Sequence, residues 1–215
     1  MPWLLVSWLI SLCLANTETY LIRIPQYYDI APHAEPISDT QKFTRHIEHL
    51  NDTHRLILDY PIQTIDKIDI SNVVKLQYNT VAQPQSTLVI RINNYEDSLF
   101  TNDDLLNVKL CWPATSPYDF HLSHQYLHTH ELSEELEDNF ELYLVVDYRF
   151  YAYTFDEAQF LHEQGEELEM LLYINKLPNK YVPIPLELYD FILYLVDATI
   201  FLSWNVLPYV VLCYF

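Results

Sequence analysis

Residues 141–154 read ELYLVVDYRFYAYT, a run of apolar, aromatic and β-branched side chains of the kind that packs on a pleated sheet. Working outward, similar runs recur at 19–24, 54–60, 73–78, 87–92, 107–112, 168–174 and 181–186. Between them stand turn formers: Pro25, Pro32 and Pro36, then Asn79, Pro84, Asn93, Asn94, Pro113, Pro117, Pro178 and Asn179. Several short strands with turn signals at modest spacing predict a mainly β domain, an antiparallel β-sandwich of about eight strands. Helix is expected only at residues 40–50 and in the acidic stretch 156–169.

Glycine is almost missing. Average usage would supply about 15 in a chain of this length; here Gly165 stands alone. Phosphate-cradling loops, dinucleotide fingerprints and nucleophile elbows all need glycine where the backbone bends tightly or a ligand approaches it closely. P-loop NTPases, Rossmann enzymes and α/β-hydrolases are thereby excluded. Any left-handed turn position has to be filled by Asn or Asp.

The two ends differ from this middle. Residues 191–215 hold one charged side chain, Asp197, and thirteen Leu, Ile, Val or Phe residues lie between Phe191 and Leu212. About 20 apolar residues cross a bilayer core of roughly 30 Å. On an insertion scale these residues give about −4 to −8 kcal/mol, of which a central Asp takes back about 3. Asn205 and Pro208 erode the balance further. Insertion is favourable but narrow, so a polar group such as Asp197 or Asn205 is expected to face a protein partner within the membrane. The alternative for Asp197 is local water or a thinned bilayer reaching one turn and a half below the start of the span.

At the other end, residues 1–15 read MPWLLVSWLISLCLA, with Cys13 and Ala15 as the small residues before a cut. This resembles a secretory signal peptide without the usual basic start; an uncleaved anchor is the alternative. The expected organisation is a signal at 1–15, a lumenal domain at 16–189 and a transmembrane helix at 190–215, a single-pass type I arrangement with the domain in the endoplasmic reticulum lumen or outside the cell. The last basic residue is Lys180, so only the signal orients the tail. A GPI-attachment signal, the other reading of an apolar C-terminus, needs small residues and a polar spacer. Residues 180–190, KYVPIPLELYD, are bulky instead.

The net charge of −19 argues against nucleic acid or anionic lipid as the main partner. Cys111 is the one thiol between the two apolar ends and cannot reach Cys213 across a membrane, so no intrachain bridge is expected. His121, His124, His128 and His130, followed by Glu131, Glu134 and Glu135, carry zinc-binding side chains. Their spacing fits no established site, and they read as a solvated loop. Asp66 with Asp69, and Asp103 with Asp104, read as turns or strand ends. No catalytic set, cofactor site or metal site is expected. Asn51-Asp52-Thr53 is an N-glycosylation sequon, so Asn51 is the expected modification site.

The segment Asn16-Thr17-Glu18-Thr19-Tyr20-Leu21-Ile22-Arg23-Ile24-Pro25 resembles the opening of a fungal family, the co-activators of the PIG-V-type GPI mannosyltransferase. The layout of signal, body and C-terminal span is similar too. The resemblance implies a non-catalytic subunit of GPI mannosyltransferase II. Its partner would be a multi-span catalytic subunit that adds the second mannose to the GPI precursor from dolichol-phosphate mannose. No active-site residue transfers to this chain. Two rivals stand beside it: a cell-surface or cell-wall adhesion or receptor-like protein on the same anchored domain, and a hydrolase or metal-dependent enzyme with the histidine segment at its site.

Overall fold

The computed structural model describes residues 15–28, 47–62, 72–77, 85–94, 102–116, 118–132, 139–150, 167–185 and 188–205. The chain divides into two compact units, Met1–Lys176 and Leu177–Phe215.

Among the described residues the first unit holds nine strands: β1 (Ala15–Arg23), β2 (Glu48–His49), β3 (His54–Pro61), β4 (Val73–Gln77), β5 (Gln85–Asn93), β6 (Leu105–Pro113), β7 (Tyr118–His128), β8 (Phe140–Phe150) and β9 (Glu167–Lys176). They form a four-stranded sheet in the order β1-β6-β9-β4 and a five-stranded sheet in the order β2-β3-β5-β8-β7. Alternation along each strand decides what is buried. In β8, Leu142, Leu144, Val146 and Tyr148 face inward; in β6, Leu106, Val108, Leu110 and Trp112 do so; in β9, Leu168, Met170, Leu172 and Ile174. Both sheets feed one apolar cluster, and the Tyr60 hydroxyl of β3 ties them by donating to the carbonyl of Leu172 in β9.

The mainly β expectation holds, but the sheets are not purely antiparallel. β3 runs parallel to β5, from His54 opposite Thr87 to Pro61 opposite Asn93. The reason is the strand between them: β4 crosses to the other sheet, so the chain re-enters the five-stranded sheet running in its former direction. β3 also breaks register between Ile57 and Tyr60. The carbonyl of Leu58 in that irregularity is taken up by side chains, Arg91 Nε at 2.8 Å and Asn93 Nδ2 at 2.6 Å. Arg91 in turn lies 3.3 Å from the buried carboxylate of Glu141.

Three local expectations change. Of the helix expected at 40–50, residues 40–46 lie outside the described residues, and Glu48–His49 form β2, paired with Arg55 and Leu56 across a tight turn. Of the helix at 156–169, residues 156–166 lie outside, and Glu167–Glu169 open β9. The strand expected at 181–186 is absent from its described part: Pro183 and Pro185 have no amide hydrogen to give a ladder. In the opposite direction, the histidine segment expected to be a loop is β7, paired with β8 without a break from Tyr118–Phe150 to His128–Phe140. Tyr118, Phe120, Leu122 and Tyr126 recur at every second position or its multiple, and the histidines between and among them hide a strand's period.

Asp103 precedes β6 with φ 69°, a left-handed turn position held by an Asp where other proteins would place Gly. The Asn102 amide donates to Gln26 O at 3.0 Å, and Ile24 N to Asp104 O at 3.0 Å, fixing the exit of β1 beside this turn.

The described residues of the second unit include the helix α1 (Tyr189–Asn205). Residues 206–215 lie outside the described residues. At 17 residues α1 is about 25 Å long, and among the described residues no helix is long and apolar enough to cross a membrane.

Candidate functional site

In α1 the usual distribution of side chains is reversed. Phe191, Leu193, Tyr194, Leu195, Val196, Ile200, Phe201, Leu202 and Trp204 are all exposed, Trp204 at 81 %. They occupy consecutive and alternating positions, so the apolar surface goes all the way round instead of forming one stripe; such a helix belongs in an apolar surrounding. Each large side chain gains about 1.5–3 kcal/mol on leaving water. Asp190 sits in the first turn, where the helix dipole favours an anion. The Thr199 hydroxyl bonds back to Leu195 O at 2.7 Å, which satisfies its donor inside the helix. Asp197 is exposed midway along the helix. On the helix surface it lies over Leu193 and Tyr194 and under Ile200 and Phe201. Asn205 closes the helix, about 12 Å along the axis from Asp197 and about 80° around it. The two positions therefore share one side of α1.

Asn51 belongs to the other unit. It lies in the exposed turn between β2 and β3, where Leu50 N and Asn51 N both donate to His54 O. Its Oδ1 accepts from Thr53 N at 2.9 Å, Thr53 Oγ1 at 3.0 Å and His54 N at 2.7 Å. These bonds engage the oxygen, whereas an N-glycan is attached at Nδ2. The turn can keep its shape with the sugar in place.

β7 separates its histidines. His124 and His128 share the inward parity of Phe120 and Leu122, whereas His121 lies on the opposite face, beside Asp147 of β8. His124 Nδ1 is 2.7 Å from the Tyr20 hydroxyl of β1, and burial lowers the pKa of His124. Tyr126 packs edge-on against Tyr28 at 4.8 Å, and its hydroxyl is pushed up to about 12, chiefly by burial. Phe140 and His128 extend the same aromatic strip, with ring centres 5.1 Å apart, and His130 lies 5.4 Å beyond His128. Glu134 and Glu135 lie outside the described residues. Among the described residues, no three His, Cys, Asp or Glu side chains are grouped where they could hold a metal ion. The strip is packing, with His124 as a hydrogen-bonded member of it.

Cys111 is half-buried in β6, with the Thr17 hydroxyl 3.5 Å from its sulfur. Sequence reasoning missed two groupings, the Tyr20–His124 bond and the Arg91–Glu141 pair, because each joins residues far apart in the chain. The strand period of β7, Phe120, Leu122 and Tyr126, is the signal that puts His124 on the core face.

Comparison with curated proteins and with solved structures gives no match. A family match covers residues 6–209, nearly the whole chain, and its description is GPI-mannosyltransferase II co-activator. That span includes the β strands and α1, and on it the chain belongs to the GPI-mannosyltransferase II co-activator family.

Proposed function

We propose that this chain is a non-catalytic accessory subunit of the endoplasmic reticulum mannosyltransferase that adds the second mannose to the GPI-anchor precursor. The family match over residues 6–209 carries the reading. Chemistry resides in a multi-span catalytic partner; this chain contributes a folded surface and an anchor. We read the two sheets as the layers of a lumenal β-sandwich spanning 16–189 after loss of residues 1–15. Residues 190–215 form the transmembrane helix. The all-round apolar surface of α1 supports that reading, since lipid and a partner helix would cover what water cannot.

Within the span, Asp197 and Asn205 would face the catalytic subunit, where a polar group costs least. Asn51 would carry an N-glycan on the lumenal side. No comparison favours the cell-surface alternative.

The deciding experiment is purification from microsomes in mild detergent with identification of what comes along. Recovery of a multi-span mannosyltransferase is expected, and with Asp197→Leu its yield falls while the chain stays in the membrane pellet after alkaline carbonate. Loss of the wild-type chain to the carbonate supernatant would remove the anchor. Unchanged co-purification of the variant would remove the role given to Asp197.

A further inference from the structure

The segment leading into α1 has its own structure. Pro178, Pro183 and Pro185 fix φ at three places. Asn179 Oδ1 accepts the Tyr181 amide at 2.8 Å, Ile184 N donates to Val182 O at 2.8 Å, and Leu188 N donates to Pro185 O at 3.0 Å. Successive local turns on a proline frame hold a set of side chains outward. Tyr181 is 80 % exposed, and Val182 and Leu188 are exposed as well.

Lys180 places its ammonium 5.4 Å from the centre of the Tyr181 ring. A cation over a phenol, next to aliphatic side chains, is the composition found at a membrane–water boundary. There the ring sits at headgroup depth and the ammonium reaches lipid phosphate. Lys180 is also the last basic residue of a strongly acidic chain, and it lies nine residues before the first turn of α1. Exposed apolar surface continues from Tyr181 and Val182 through Leu188 into Phe191 and Leu193.

We infer that residues 180–185, with Leu188, lie in the headgroup layer of the bilayer. Tyr181 and Val182 reach the level of the ester carbonyls, and Lys180 pairs with a lipid phosphate. The occupant is a zwitterionic, phosphatidylcholine-like headgroup, because a chain of net charge −19 is repelled from an anionic surface. The inference rests on reading α1 as a membrane helix.

Bromolipid quenching separates the two. Full-length chains carry Trp3→Phe and Trp8→Phe, keep the buried Trp112 as an unquenched baseline, and hold one reporter: native Trp204, or Tyr181→Trp with Trp204→Phe. In phosphatidylcholine vesicles, Tyr181→Trp should lose emission most to bromines beside the ester carbonyls, and Trp204 to bromines deeper in the acyl chains. Quenching of Trp204 with none of Tyr181→Trp overturns the headgroup inference and leaves the anchor intact. Quenching of neither overturns the anchor itself. Adding phosphatidylserine should leave the Tyr181→Trp signal unchanged; quenching that appears only with phosphatidylserine overturns the zwitterionic assignment.

Discussion

The two units treat apolar side chains in opposite ways. In Met1–Lys176 they alternate with polar ones and disappear chiefly into one large cluster, in which Leu110, Leu144, Leu172 and Ile174 are completely buried. In α1 they are contiguous and exposed. The first pattern is self-sufficient, because strands of both sheets bury their apolar side chains against one another in that cluster. The second is complete only in an apolar surrounding. One chain therefore contains a part whose stability is its own and a part whose stability belongs to its environment.

Substitutions that act on one unit and spare the other sharpen this contrast, and the largest effect is expected at the buried ion pair. Glu141→Ala leaves the Arg91 guanidinium without its carboxylate beside the irregularity in β3, at a cost of about 3–5 kcal/mol. A fall in the urea midpoint of the full-length protein in detergent measures it. Leu144→Ala, in the middle of the core, should cost about 2–5 kcal/mol by the same measurement. Its counterpart in α1, Leu195→Ala, should change the urea midpoint by less than about 0.5 kcal/mol equivalent, while reducing the carbonate-resistant fraction. Equal effects of the two leucine substitutions on unfolding would erase the distinction between the units.

A smaller effect is expected at His124. Its pKa is lowered in the folded state by burial, so folding favours the neutral ring. Stability from this group is full above the unfolded value of 6.5 and declines as pH falls through 6.5 toward the lower folded value. The Tm should therefore drop between pH 7.5 and pH 5, and His124→Gln should flatten that part of the profile. Tyr20→Phe, which removes the partner hydroxyl, should cost about 1 kcal/mol. A comparable or smaller effect is expected of Asn51→Gln, about 0.5–1 kcal/mol for the turn bonds that Oδ1 accepts, together with loss of one endoglycosidase-H-sensitive step in gel mobility. An unaltered mobility would mean that Asn51 carries no glycan.

How legible this architecture was depends on the type of signal. Seven of the nine strands lie at runs of apolar or β-branched residues, because a strand with a buried face must repeat such residues every second position. β7 was obscured by histidines, whose polarity says loop although His124 packs inward. β2 is too short to show any period. The parallel pairing of β3 with β5 was illegible for another reason: direction depends on which sheet receives β4, and that is decided by contacts distant in sequence. At the candidate site, the isolation of Asp197 among apolar residues was plain from the chain alone, as was the sequon at Asn51, whereas the turn that holds Asn51 was not, since residues 40–50 read as helix. The Arg91–Glu141 pair was not, since charged residues are common and nothing local announces a buried one.

The pairing of β1 has a consequence for synthesis. Asn16 lies opposite Trp112 and Arg23 opposite Leu105, so the first strand has no neighbour in its own sheet until β6 has been made. At about 5–20 residues per second that delay amounts to several seconds. β9, which joins β6 to β4 at the centre of this sheet, comes later still, with only a short stretch between its last residue, Lys176, and the first turn of α1 at Tyr189. The ribosome thus finishes the keystone strand and the helix almost together. Until then the amino-terminal ladder is an open edge that a chaperone would have to shield.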